Sequence, residues 1–156
     1  MTDQNLLTAF LRAANKNTYA ASGTKTASSR LRSEDFEYRD GDLLYHDTYF
    51  GDDIFIGEEV VYEKEIPIWG MNYYGYLTDT SVTPKEIFSF LKQALLAEED
   101  EAIPVRGPKT FATGALSYRM EVMGTMENFT GKEIIEKSEL PVYKAVFHGG
   151  NIKGKE

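Results

Sequence analysis

Cysteine is absent from the 156 residues, which excludes disulfide bonds, thiolate nucleophiles and zinc sites built on cysteine. Histidine occurs only as His46 and His148, and because the two are far apart in sequence we expect no metal site. No apolar run reaches the roughly 18 residues that a membrane span needs. Residues 1–15 lack a basic region and a small-residue cleavage site, so we expect no signal peptide and a cytoplasmic location.

Nucleotide-binding and nucleophile motifs are missing as well. The chain contains no P-loop, no Rossmann glycine pattern and no nucleophile elbow, and Gly149-Gly150 lies in a stretch, 149–156, that we expect to be loose rather than a phosphate cradle. The sequence therefore predicts no cofactor.

Acidic residues are concentrated in one part of the chain. The formal net charge is −8, with +4 on residues 1–33, −10 on residues 34–65 and −2 on residues 66–156. Such an acidic stretch repels phosphate backbones and anionic lipid, so we expect no direct binding of nucleic acid or membrane. It is either a solvated face that aids solubility or a docking surface for a protein partner, including a second copy in a homodimer.

The length corresponds to a single domain, here 1–156, that is large enough to bury a core. Apolar spacing predicts a helix over 3–15, and Thr83, Pro84 and Glu86 predict the start of a second helix over 84–97 that ends in the acidic loop 98–101. Alternating residues with turn signals predict four strands within 36–75 and four more at 109–113, 115–123, 129–137 and 141–148. Residues 16–33 lack periodicity and are predicted to form a long loop.

The second half of the chain resembles the first at fixed spacing. Residues 57–61, 67–69 and 73–75 match residues 131–135, 141–143 and 147–149 at an offset of 74. We interpret the chain as two α-ββββ units, 3–75 and 83–149. The predicted fold class is α+β, with a mainly antiparallel curved sheet of about eight strands and two helices packed on it. Ligands commonly bind in clefts between such halves.

Asp47 stands out in the comparison of the two units. Side chains alternate along a strand, so Leu43, Tyr45, Asp47 and Tyr49 share one face, and their counterparts are all apolar or aromatic. Asp47 matches Met120 and is predicted to point inward. An inward carboxylate is costly unless it is paired. It is therefore either a functional group or an Asp bonded to a backbone group or a Tyr hydroxyl, or placed at the sheet rim.

Glu59 and its counterpart Glu133 occupy equivalent positions in the two units. A Glu in both copies suggests a structural role, such as accepting a bond at a bulge or from a Tyr. The functional alternative makes Glu59 a second carboxylate across one strand pair from Asp47, and two carboxylates could perform acid–base chemistry.

Several aromatic and polar residues complete the candidate ligand site. Trp69 and Tyr73 are most simply core aromatics, whereas Asn72 replaces Val146 beside Tyr74 and faces His148 across the predicted two-fold axis. Alternation alone does not settle which sheet face lines the cleft. The candidate ligand-binding residues are Tyr45, Asp47, Tyr49, Glu59, Trp69, Asn72, Tyr74 and His148.

The stretches 38–51, 55–61, 67–75, 106–108 and 147–150 together resemble a bacterial family known only as a domain of unknown function. The resemblance covers roughly residues 6–152 and implies that Asp47, Glu59, residues 72–74 and His148 matter to the fold or the site. Members of that family occur alone or after an Xre-type helix-turn-helix domain in predicted transcriptional regulators. We see no such segment in these residues, so we expect that regulator role not to transfer directly. The family implies no activity.

Three functions remain open. The first is a cytosolic module that binds or senses a small polar or aromatic molecule in the cleft between the halves. The second is a protein–protein interaction module that uses the acidic stretch 34–65, over which the basic loop 16–33 could fold as a lid. The third is a hydrolase-type enzyme that uses Asp47 and Glu59 as acid and base.

Overall fold

The structure is a computed structural model that describes residues 3–97 and 100–153. It confirms an α+β fold with two helices and an eight-stranded antiparallel sheet in those residues. The helices are α1 (Gln4–Asn15) and α2 (Pro84–Leu96), with a short 3-10 turn at Tyr19–Ala21. The strands are β1 (Glu34–Asp40), β2 (Leu43–Gly51), β3 (Ile54–Glu63), β4 (Ile66–Leu77), β5 (Thr110–Thr113), β6 (Leu116–Thr125), β7 (Asn128–Lys137) and β8 (Leu140–Asn151).

The sheet joins the two halves of the chain through β4 and β8. Its strand order is β1-β2-β3-β4-β8-β7-β6-β5, and Tyr73 lies opposite Phe147 at the central seam. The expectation that residues 149–156 are loose is wrong for Gly149 to Asn151, where β8 continues and pairs with β4, and residues 154–156 of that stretch lie outside the described residues. The element order matches the predicted α-ββββ-α-ββββ arrangement; descent of the halves from one repeated unit stays an interpretation.

Both helices begin where their capping residues predict. The Asp3 side chain accepts a hydrogen bond from the Asn5 backbone N–H at 2.9 Å, and Thr83 accepts one from the Glu86 backbone N–H at 3.2 Å. The predicted acidic loop after α2 includes Glu98 and Glu99, which lie outside the described residues. In the described parts of the chain, no helix is long and apolar enough to cross a membrane.

The helices cover one face of the sheet, which we call the inner face. The ring centroids of Phe10 and Tyr38 lie 5.6 Å apart, and those of Phe90 and Phe111 lie 5.5 Å apart. In β2 the inner residues Leu43, Tyr45 and Asp47 are buried, which confirms the predicted alternation. The core thus lies between the inner face and the two helices.

Candidate functional site

A cavity of about 240 Å³ lies between the inner face of the sheet and the elements that cover it. Its floor comes from β2, β3 and β4, and its roof from the 3-10 turn, α2 and the chain that follows α2. The first half of the sequence therefore supplies the floor, whereas the second half supplies much of the roof. The lining residues used below are Tyr19, Tyr45, Asp47, Tyr49, Asp52, Phe55, Glu59, Tyr73, Phe88, Lys92 and Arg106.

Asp47 and Glu59 form a carboxyl pair on the cavity floor. They lie directly opposite each other in the antiparallel register of β2 and β3, so both side chains project from the inner face. Asp47 is 4% exposed and Glu59 5% exposed. The prediction that Glu59 lies one strand across from Asp47 is confirmed.

Burial perturbs the acidity of both carboxyl groups. Burial raises the pKa of Asp47 to about 6, even though the Tyr73 hydrogen bond and the Arg106 charge lower it. Burial, followed by the negative charge of Asp47, raises the pKa of Glu59 to about 8, against the lowering effect of Arg106 and Tyr45. At neutral pH the pair therefore holds one proton, on Glu59, and carries one negative charge.

Tyr73 orients the Asp47 carboxylate. Its hydroxyl donates a hydrogen bond of 2.6 Å to Oδ1 of Asp47 from β4, across β3. Gly57 of β3 makes this reach possible, because a Cβ at that position would overlap the Tyr73 hydroxyl. The inward Asp47 is thus bonded to a Tyr hydroxyl, as one of the two sequence interpretations expected, and it also lines a cavity.

Glu133 occupies a second buried polar cluster beside the cavity. It is 0% exposed and forms an ion pair with the Arg106 guanidinium. The hydroxyls of Tyr118 and Tyr143 donate further hydrogen bonds to it at 2.6 and 2.7 Å. Burial raises the pKa of Glu133, but Arg106 and the two tyrosines outweigh that effect and lower it below its usual value. This carboxylate is fully occupied by the protein itself.

Glu59 is far less well satisfied than its counterpart. Its Oε2 is buried and has no hydrogen-bond partner. Tyr143 donates its hydroxyl to Glu133, and the residue that matches Tyr143 in the first half is Trp69. The Trp69 indole N–H donates instead to the Met126 carbonyl oxygen at 3.0 Å. A buried acceptor without a donor is costly, so the site retains an unmet demand for hydrogen-bond donors.

Aromatic rings form the walls of the cavity. The ring centroids of Tyr19 and Tyr49 lie 6.0 Å apart in an edge-to-face contact. Phe55 contacts Tyr73 at 6.1 Å and Phe88 at 6.0 Å. Burial raises the pKa of Tyr19 and of Tyr49 to about 12, so both hydroxyls stay neutral at physiological pH. The walls therefore present flat apolar surface with neutral polar edges.

The structure brings together only part of the candidate ligand-binding set. Tyr45, Asp47, Tyr49 and Glu59 line the cavity. Trp69 is buried in the core, stacked on Phe129 at 5.8 Å, and is not among the lining residues. Asn72, Tyr74 and His148 are exposed on the opposite, outer face, where Asn72 pairs with His148 across β4 and β8.

Sequence reasoning did not assign roles to Arg106, Tyr19, Phe55 or Phe88, all of which line the cavity. Arg106 lies between the buried residues Val105 and Gly107 outside any helix or strand, so no periodicity points to its orientation. A lone Arg within an apolar segment is the signal that could have marked it as buried and paired.

The acidic stretch 34–65 does not form one continuous surface. Asp35, Asp47 and Glu59 are buried, and Glu58 forms an ion pair with Arg30 of the preceding segment. On the outer face, Asp35 accepts hydrogen bonds from the Ser29 and Ser33 side chains and lies 2.6 Å from Nε2 of His46. Lys25 and Arg30 thus form ion pairs with Glu34 and Glu58, whereas folding of the loop over the stretch as a lid stays a prediction.

Potential metal ligands do not cluster among the side chains that the structure describes. No group of three or more His, Cys, Asp or Glu side chains there is placed to hold a metal ion. The Asp47–Glu59 pair alone offers two ligands, fewer than calcium, magnesium or zinc sites commonly use.

Comparisons with known proteins identify a family without a known role. No curated protein and no solved structure matches the chain. A family model described as a domain of unknown function, DUF5680, matches residues 47–152. The match begins at Asp47 and includes Glu59, Tyr73, Phe88 and Arg106 of the cavity. The chain belongs to the DUF5680 family.

Proposed function

We propose that the protein binds a small polar or aromatic molecule in the cavity between the inner face of the sheet and α2. The observation that carries this proposal is the buried Glu59 Oε2, which has no partner and belongs to a carboxyl group that lines the cavity. Folded proteins rarely leave a buried acceptor unsatisfied, and a bound ligand is one way in which such an atom at a cavity is satisfied. The aromatic walls supply the apolar contact area that small-molecule sites commonly offer.

A thermal-shift screen with a metabolite library tests this proposal, followed by amide NMR spectra with each hit. We expect hits to raise the melting temperature and to shift amide signals of residues on the inner face. Tyr49→Ala removes a cavity wall, whereas Tyr74→Ala removes an exposed ring from the outer face and is its matched control. Hits should disappear in Asp47→Ala and Tyr49→Ala and persist in Tyr74→Ala, with circular dichroism to verify folding. Hits that persist in both cavity variants would refute the proposed site.

A second candidate function, acid–base hydrolysis, is favoured by the carboxyl pair. Asp47, with a pKa of about 6, and Glu59, with a pKa of about 8, differ in protonation at neutral pH, which is the arrangement that an acid and a base require. A panel of chromogenic esters and glycosides tests it. Turnover should be lost in Asp47→Asn and Glu59→Gln and retained in Glu58→Gln. Turnover no faster than in buffer across the panel would argue for binding alone.

A further inference from the structure

The Arg106–Glu133 cluster provides an internal template for what the cavity lacks. A guanidinium and two Tyr hydroxyls satisfy Glu133, and the guanidinium carbon of Arg106 lies 5.5 Å from the centroid of the Tyr73 ring. The buried carboxylate is thus satisfied by a cation that donates N–H bonds and packs against an aromatic ring.

Glu59 has the same strand position in the first half but lacks most of these partners. Tyr143 donates its hydroxyl to Glu133, whereas the matching residue of the first half, Trp69, has no hydroxyl and donates elsewhere. Beside Glu133 lies the apolar Met120, whereas Asp47 lies beside Glu59. These changes leave fewer donors and a second acid around Glu59, and Asp47 and Glu59 both face a cavity rather than packed protein. Both changes favour a ligand that brings positive charge and N–H donors.

The charged residues that line the cavity also favour a ligand with positive charge. Of its described lining residues, Asp47, Asp52 and Glu59 are acidic, and Arg106 and Lys92 are basic. Arg106 is committed to Glu133, and Lys92 lies 3.1 Å from the Ser22 hydroxyl and 4.8 Å from the centroid of the Tyr19 ring. The floor is left with a carboxyl pair that has no ion-pair partner of its own in the described residues, so an anion would meet repulsion there.

We infer that the cavity takes an organic cation, whose protonated amine, amidine or guanidinium group donates to Glu59 and Asp47 and whose flat body lies between the aromatic walls. The inference rests on the proposed function and names its ligand class. Tyr19, Tyr49, Phe55 and Phe88 supply the π faces that attract a cation and stack on a planar body.

Four probes that share one ring and differ in charge test the ligand class: benzylammonium, benzamidinium, benzyl alcohol and benzoate. Their affinities are measured near neutral pH from amide NMR shifts of the cavity residues in the full chain. We expect the two cations to bind about tenfold or more tightly than the alcohol, and benzoate to bind most weakly.

Glu59→Gln and Glu58→Gln provide matched variants, because they replace the same carboxyl group by an amide in neighbouring residues whose side chains project from opposite faces of β3. The preference for cation over alcohol should fall about tenfold in Glu59→Gln and persist in Glu58→Gln. Asp47→Asn removes the other carboxyl group of the pair and should lower the preference for the cation as well.

Two results would overturn the inference. The first is cavity binding of benzyl alcohol or benzoate that is as tight as that of the cations, which leaves the proposed function intact. The second is the absence of cavity shifts with all four probes. In that case the metabolite screen decides separately whether the cavity binds small molecules at all.

Discussion

Glu59 and Glu133 project from the same face of the sheet, yet Glu133 accepts bonds from Arg106, Tyr118 and Tyr143 while Glu59 keeps a buried oxygen without a partner. The difference separates a carboxylate that the protein itself satisfies from one that lines the cavity with an unsatisfied oxygen. The sequence interpretation that one structural role explains both residues therefore fits Glu133 much better than Glu59.

The carboxyl pair should make the protein less stable as the pH rises. The pKa of Glu59 is raised from its ordinary value of 4.5 to about 8, and that of Asp47 from 3.8 to about 6. Between the ordinary and the raised pKa of each group, the folded state therefore binds more protons than the unfolded state. Stability then falls with pH across that window, by an amount on the order of a few kcal/mol for the pair.

Urea denaturation of the wild type, Glu59→Gln and Glu58→Gln between pH 5 and pH 9 measures this effect, a range set by those pKa values. The free energy of unfolding of Glu59→Gln should rise relative to the wild type as the pH increases. Glu58→Gln should follow the wild-type curve. If the free energy of unfolding changed with pH in the same way in all three proteins, Glu59 would ionise as readily in the folded protein as in the unfolded chain.

Arg106 should be essential for stability because it neutralises the fully buried Glu133. Arg106→Met leaves that carboxylate buried without its ion-pair partner, which costs about 3–5 kcal/mol. Arg119→Met provides the control, since Arg119 is half exposed and pairs at the surface with Glu121 and Glu136; its expected cost is about 0–1 kcal/mol. Urea midpoints for the two variants distinguish these values, and equal losses would contradict the assigned role of Arg106.

Asp35 should hold the segment 26–33 against the outer face. It accepts bonds from Ser29 and Ser33 and contacts His46, while its backbone pairs with Thr26. Burial raises the pKa of Asp35, but these hydrogen bonds lower it well below its usual range. Its stabilising effect is therefore present above the ordinary pKa of Asp and is lost as the pH falls below it.

Amide hydrogen exchange tests this attachment. In Asp35→Asn we expect faster exchange at Ser29, whose N–H donates to the Asp35 carboxylate at 3.2 Å, together with a stability loss of about 1–3 kcal/mol. Glu37→Gln alters an exposed carboxylate on the same strand and face and should leave exchange unchanged. Unaltered protection of Ser29 in Asp35→Asn would mean that other contacts hold the segment.

Local rules predicted much of the fold and the centre of the site. Strand alternation placed Asp47 inward, and hairpin pairing placed Glu59 beside it, because both rules depend only on neighbouring residues. The cap at Thr83 likewise fixed the start of α2. Each of these features is determined within one hairpin or one helical turn.

Features set by contacts between distant segments were not predictable in this way. Arg106 reaches Glu133 from a connection without periodicity, and Tyr19 enters the cavity from the 3-10 turn. The placement of Asn72, Tyr74 and His148 away from the cavity depends on which sheet face the helices cover, and alternation does not determine that choice. The extension of β8 to Asn151 depends on its pairing with β4.

Binding of an organic cation should release a proton from the carboxyl pair. A bound positive charge favours the ionised forms and so lowers the pKa of both acids, and near neutral pH it is Glu59, with a pKa of about 8, that holds the proton to be lost. Tyr45 and Tyr73, with pKa values raised well above 10, and Arg106, with a raised pKa, do not titrate there. The other charged or titratable groups that line the cavity are Tyr19, Tyr49, Asp52 and Lys92.

Calorimetric titration with benzamidinium in two buffers of different ionisation enthalpy counts these protons. Near neutral pH the wild type should release up to about one proton per bound probe, and Glu58→Gln should behave alike. Glu59→Gln should release far less, because the group that held the proton is gone. Proton uptake, or a binding enthalpy that does not depend on the buffer, would mean that the bound cation does not contact a protonated carboxyl pair. A change in release that is equal in Glu58→Gln and Glu59→Gln would instead reflect net charge rather than contact in the cavity.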